Sequence, residues 1–182
     1  LSETIVLSKS KIQRACEGHS SRLPNEIRFN PINDKDMGFL QKLYGSTRED
    51  ELAQTDWDDA RKNEFIAFQF SAQHKHYMEH FAGSDFLLIL RDQEKIGRIY
   101  IDRRPDEIRL IDIALITEER GSGLGTQLLQ DLMDEAADRK QALSIHVEQF
   151  NPAMRLYKRL GFKKLDDYGV YDLMQWKPEN AD

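Results

Sequence analysis

The segment Arg120-Gly121-Ser122-Gly123-Leu124-Gly125-Thr126 lies between a strand-like run ending at Ile116 and an apolar stripe at Leu124, Leu128, Leu129, Leu132, Met133 and Ala136. Apolar positions three and four apart predict an amphipathic helix beginning near Ser122. Ala142 to Glu148 then reads as a strand. A strand, a glycine turn, a helix and a second strand form a right-handed crossover, which makes the two strands parallel neighbours. The turn also predicts chemistry. Glycines let a backbone approach a ligand closely, and a helix N-terminus presents unpaired N–H groups and partial positive charge, so the turn suits an anion such as a pyrophosphate. It is not a dinucleotide fingerprint, because Thr126 or Leu128 falls where the last glycine is required, and no Gly-Lys-Ser or Gly-Lys-Thr supplies a Walker loop.

The other elements frame this unit. Glu26 to Asn30 predicts a strand, and Asn33 caps a helix with apolar positions at Met37, Leu40, Leu43 and Tyr44. Glu49 to Phe81 carries aromatics at helical spacing and predicts two helices. Phe86 to Arg91, Ile96 to Asp102 and Glu107 to Ile116 predict a three-stranded meander turned at Asp92 to Lys95 and at Arg103 to Asp106. After Glu148, Asn151 caps a helix whose first residue is Pro152 and which ends at Gly161. Phe162 to Leu165 and Tyr168 to Trp176 supply the last strands. The fold class is α+β: a mixed, mostly antiparallel sheet with helices on both faces.

Charge and composition narrow the function. The 182 residues carry 26 Lys+Arg against 32 Asp+Glu, a formal charge of −6, which disfavours broad capture of nucleic acid. With 40% hydrophobic residues the chain can fill a core, yet its longest apolar run, Phe86 to Leu90, is far short of the roughly 20 residues of a bilayer span. No membrane association is expected. Cys16 is the single cysteine, so no disulfide forms within the chain, and a cytoplasmic setting is the simplest expectation. Residues 1–25, rich in serine and without periodicity, read as an N-terminal extension to a domain over 26–182.

Arg120-x-x-Gly123-x-Gly125 at a strand-to-helix turn resembles the (Gln/Arg)-x-x-Gly-x-(Gly/Ala) signature of GNAT-type N-acetyltransferases. Asn151-Pro152-Ala153-Met154-Arg155-Leu156-Tyr157-Lys158-Arg159-Leu160-Gly161-Phe162 is similar to that family's second motif. The resemblance spans roughly Ile27 to Trp176. It implies a GNAT-like sheet whose parallel pair splays into a cleft for acetyl-coenzyme A, with the pyrophosphate on Arg120, Gly121, Ser122, Gly123, Leu124, Gly125 and Thr126. The pantetheine arm pairs with Ile113, Ala114 and Leu115, one of whose N–H groups, near Leu115, serves the thioester oxygen. Asn151 is implied as a coenzyme contact, although capping explains it equally. Tyr157 is implied as the acid that protonates the leaving thiolate, against core packing as the alternative.

The base that takes the amine's proton has three candidates. His146 occupies a position where similar ribosomal-protein-type N-terminal acetyltransferases carry Glu. Glu148 shares its strand face by alternation, and Asp112 lies on the neighbouring strand. A metal site at His74, His76 and His80 is rejected for lack of a His-Glu-x-x-His order. In this fold type Tyr44 to Phe81 walls the acceptor, so Tyr44, Trp57, Phe68 and His76 are candidate substrate contacts. The expected function is acetyl transfer from acetyl-CoA, by direct attack, to a primary amine of a small molecule or peptide. No metal and no nucleic acid or membrane partner are expected, and a homodimer is an open possibility. The alternative is a non-catalytic acyl-CoA sensor or regulatory module.

Overall fold

The computed structural model describes residues 23–178. Of the expected extension only residues 23–25 fall within that range, and Leu23 is buried in the main core. Residues 1–22, with Cys16, lie outside the described residues.

Seven described strands form one sheet in the order β1-β2-β3-β4-β5-β7-β6. They are β1 (Ile27–Pro31), β2 (Asp85–Arg91), β3 (Glu94–Arg103), β4 (Glu107–Leu115), β5 (Ala142–Glu148), β6 (Lys163–Tyr168) and β7 (Tyr171–Trp176). Every pairing is antiparallel except β4 with β5, the pair that the crossover requires. The helices are α1 (Met37–Ser46), α2 (Glu49–Leu52), α3 (Asp59–His80), α4 (Leu124–Asp138) and α5 (Met154–Arg159). One sheet face packs Ile99, Ile101, Ile108 and Leu110 against Leu128 and Leu132 of α4 in the main core. The other carries Leu88 and Leu90 against Leu40 and Tyr44 of α1 and Phe70 of α3.

Three local expectations change. Gly123, not Ser122, stands at the N-cap of α4, at φ +90° in the left-handed region that suits glycine. The second-motif helix starts at Met154 rather than Pro152. Asn151 still caps the turn, its Oδ1 accepting from the Ala153 N–H at 2.9 Å, but Pro152 and Ala153 form a turn ahead of regular helix. The final hairpin turns at Gly169–Val170, so Tyr168 ends β6 instead of opening β7. The Leu165 region, read as a strand end, is a bulge within β6.

A second bulge shapes the site. The β3–β4 register runs Tyr100↔Asp112 and then Ile101↔Leu110, leaving Ile111 as the extra residue. A bulge bends its strand and shifts the alternation of side chains. The β4–β5 ladder ends beside it, at Leu110↔Ile145. Beyond that point β4 and β5 part, and Asp112 turns to the face covered by α1 and α3 instead of following Ile108 and Leu110 into the main core.

Candidate active site

The gap between β4 and β5 opens into two adjoining cavities. The larger, about 670 Å³, runs from Ile113, Ala114 and Leu115 past Arg120, Gly121, Gly123, Gly125 and Thr126, with Asn151 and Tyr157 opposite. The smaller, about 190 Å³, is bounded by α1, α3, β3, β4, β5 and Tyr171 of β7. Thr47, Ile113, Ala114, Asn151 and Tyr157 line both, so the cavities meet at these residues.

In the larger cavity the backbone supplies the ligand groups. The Ile116 N–H donates to the Ile96 carbonyl on the β3 side. Antiparallel alternation then turns the peptide groups of Asp112 and Ala114 toward β3, and those of Ile113 and Leu115 toward the gap. The Leu115 carbonyl on that open side already accepts from Arg120 Nε at 2.9 Å. The Ile113 peptide and the Leu115 N–H therefore remain for an amide-bearing ligand, while Ala114 contributes its side chain to the wall. At the turn, α4 has no acidic residue in its first turn to compete for an anion. A Cβ at Gly123 would have nothing within 4 Å, and one at Gly125 would have only Leu156 at 4.0 Å, so the cradle is open. These residues fit a pyrophosphate with an amide-bearing tail.

Not every glycine-turn residue faces the cleft. Ser122 donates to the Glu119 carbonyl at 2.8 Å, and the Leu124 side chain is buried in the core. The Arg120 guanidinium, exposed on the wall of the larger cavity, donates to the Ser46 carbonyl at 3.2 Å and the Ser46 Oγ at 2.7 Å. It ties the loop to the C-terminal end of α1, where a cation is favoured.

Tyr157 is held from two directions. Gly161, at φ +90°, closes α5 in a Schellman motif: the Phe162 N–H donates to the Tyr157 carbonyl at 3.0 Å and the Gly161 N–H to the Lys158 carbonyl at 3.1 Å. The Phe162 ring meets the Tyr157 ring edge-on, centroids 5.6 Å apart. Burial, reinforced by the nearby Asp112 carboxylate, pushes the phenol pKa well up. It stays protonated at neutral pH and is available to donate.

Each of the three candidate bases is gripped by an arginine. Glu148 accepts from Arg48 at 3.0 and 3.3 Å. Asp112 Oδ2 lies 2.6 Å from Arg98 Nη2. His146 Nδ1 lies 3.2 Å from Arg109 Nη1. A guanidinium only donates, so His146 Nδ1 is the acceptor and the ring proton resides on Nε2. Its one lone pair is then engaged by Arg109. Burial, and then the charge of Arg109, lower the imidazole pKa from its ordinary 6.5. Carboxylates keep further lone pairs when one arginine is bound.

The two carboxylates differ in what protonation would strand. The Arg98 side chain is only 4% exposed, whereas that of Arg48 is 25% exposed. A proton on Asp112 would leave a buried cation uncompensated, and one on Glu148 would leave a partly solvated one. Asp112→Asn is accordingly expected to lower folding stability by about 3 kcal/mol. Denaturant titration checks this, and an unchanged midpoint would show that Arg98 does not depend on Asp112.

Of the candidate substrate contacts only Tyr44 lines the small cavity. Trp57 is half-buried against Phe65 and stacked by Arg61, Phe68 is exposed, and His76 stacks on His80 with ring centroids 4.2 Å apart. All three sit on or beside α3, away from the cleft. The residues that do line it, Arg48, Gln73, Tyr77, Arg98 and Tyr171, were not singled out in the sequence. The signal for Arg98 was present, a charge inside the apolar run Ile96 to Ile101.

A family model described as "Acetyltransferase (GNAT) family" matches residues 47–162. Among solved structures, the PaiA N-acetyltransferase of Thermoplasma acidophilum, in complex with coenzyme A, is 18% identical with a TM-score of 0.62, covering 84% of this chain and 99% of its own. An acetyltransferase of Thermus thermophilus is 18% identical with a TM-score of 0.60, covering 84% and 97%. One of Streptococcus agalactiae is 16% identical with a TM-score of 0.57, covering 85% and 100%. At these identities the structures establish a shared fold.

Proposed function

The chain belongs to the GNAT acetyltransferase family, and from that premise we infer that it transfers an acetyl group from acetyl-coenzyme A directly to a primary amine. The observation that carries this reading is the meeting of the two cavities at Tyr157, Asn151, Ile113 and Ala114. A thioester lying along the larger cavity reaches an amine in the smaller one only there.

In this mechanism the N-terminus of α4 binds the pyrophosphate and the Ile113 peptide pairs with the pantetheine amides. The Leu115 N–H, on the same edge, faces the charge that develops on the thioester oxygen. Holding both reactants at the junction supplies proximity and orientation. Glu148 takes the amine's proton, directly or through one water, and its position on the cavity wall opens a path to solvent. Tyr157 donates its phenolic proton to the departing thiolate. The only cysteine in the sequence, Cys16, precedes the matched domain, which favours direct attack over an acyl-thiol relay.

Gly125→Val tests coenzyme placement. Added atoms there point into open space in the free protein, where a Cβ meets only Leu156 at 4.0 Å, so the variant folds, yet they enter the anion cradle. Calorimetry is expected to show acetyl-CoA affinity reduced at least about tenfold, a change of about 1.4 kcal/mol. Equal affinity in the folded variant would move the pyrophosphate elsewhere. Thiol release from acetyl-CoA with a panel of primary amines separates the enzyme from an acyl-CoA sensor, which would bind the coenzyme and release nothing.

A further inference from the structure

We propose that the acceptor is a primary monoamine carrying an aromatic or bulky apolar group, held by an exposed aromatic platform at the mouth of the small cavity, formed by Tyr168, Tyr171, Phe150 and Val170. This rests on the acetyl-transfer reading and adds the class of acceptor to it.

Size is the first argument. At about 190 Å³ the small cavity falls below the roughly 300 Å³ at which ligand pockets usually begin. It houses the amine end of an acceptor and leaves the remainder to the surface around its mouth. Beside its Tyr171 edge, the β6–β7 hairpin and the loop after β5 carry exposed apolar side chains among polar ones. Phe150 is 96% exposed, Val170 67% and Tyr168 59%, an unusual grouping of large apolar side chains in water and the kind of patch that marks an interaction site.

Register makes the platform continuous with the site. Glu148 pairs with Tyr171, and Tyr171 with Tyr168. Directly paired residues share a sheet face, so the proposed base and the two tyrosines form one row across β5, β7 and β6. The Tyr168 ring also meets His146 edge-on at 5.3 Å, which gives that histidine a place in the wall. The Gln149 N–H donates to the Val170 carbonyl at 3.1 Å, bringing the Phe150 loop to the hairpin tip.

Charge supplies the third argument. Among the cavity-lining residues both carboxylates, Glu148 and Asp112, are paired with Arg48 and Arg98. No surplus negative charge awaits a second or third ammonium, so a polyamine gains nothing over a monoamine, whereas an aryl or branched alkyl group gains contact with Tyr168 and Phe150.

The test uses the whole chain with acetyl-CoA and four acceptors: 2-phenylethylamine, n-butylamine, spermidine, and a short peptide with N-terminal phenylalanine. The first is expected to exceed butylamine and spermidine in kcat/KM by about tenfold or more, mainly through KM. Comparison with the peptide separates a free amine from a peptide terminus as the source of the same chemistry. Phe150→Ser and Tyr168→Ser, both at exposed positions that folding tolerates, are expected to collapse the phenylethylamine-to-butylamine ratio toward one. Tyr171 is left intact because its hydroxyl approaches Glu148 at 3.5 Å. If acetyl transfer occurs but spermidine is preferred, or the ratio survives both substitutions, the platform is wrong and the transferase reading stands. If no amine releases thiol while acetyl-CoA binds, the transferase reading fails and the platform falls with it.

Discussion

Tyr157→Phe is expected to lower turnover by about 100- to 10,000-fold, the usual contribution of a positioned general acid, with coenzyme affinity and folding nearly unchanged. The phenol is buried and held protonated by its surroundings, so it is in its donating form when the carbon–sulfur bond breaks and the leaving thiolate takes up a proton. The substitution removes one hydroxyl and keeps the ring that packs on Phe162. Turnover measured beside calorimetric acetyl-CoA binding decides the point. A large fall in kcat at constant affinity identifies an acid, whereas equal losses in both would make Tyr157 a wall of the coenzyme site. Full retention of turnover would mean that the thiolate departs unaided.

Glu148→Gln is expected to reduce turnover by about 100-fold or more. The amide is isosteric and retains an acceptor for Arg48. That pair is partly solvated, so the stability change should stay near about 1 kcal/mol or below. The companion variant separates the bases. Burial and Arg109 hold His146 below its ordinary pKa of 6.5, so catalysis by this imidazole would rise with pH through a value under 6.5 as the ring loses its proton. His146→Ala is expected to leave the pH profile intact, measured with an acceptor amine of low pKa so that ammonium ionisation does not imitate the limb. Wild-type turnover in Glu148→Gln, together with a lost limb in His146→Ala, would reverse the assignment.

What was legible in the sequence was local. The helical stripe from Leu124 to Ala136, the alternating strands and the glycine turn follow from periodicities of a few residues, and they carried the crossover, the parallel pair and the coenzyme side of the cleft. The acceptor side depends on contacts far apart in the chain. Arg48 and Glu148 are separated by 100 positions, and no local pattern shows that a residue between α1 and α2 grips a carboxylate on β5. The same holds for Arg109, whose guanidinium engages His146 Nδ1 from the neighbouring strand. The bulge at Ile111 was hidden for another reason: Glu107 to Ile116 reads as an uninterrupted strand, and only the register against β3 reveals the extra residue that opens the cleft and turns Asp112 away from the main core. Trp57, Phe68 and His76 stand out by residue type within a segment that walls the acceptor in similar folds, whereas α3 carries Phe68 and His76 on other faces and Trp57 precedes it.

Direct passage of the acetyl group from coenzyme to amine is the centre of this account. Rapid-quench measurement with acetyl-labelled coenzyme, following label in the amine, in the protein and thiol release over the first turnover, tests it most directly. With direct transfer, label enters the amine at the rate at which thiol appears, with none on the protein and no thiol released when amine is omitted. Label accumulating on the protein before it reaches the amine, or thiol release that is indifferent to amine, would contradict it.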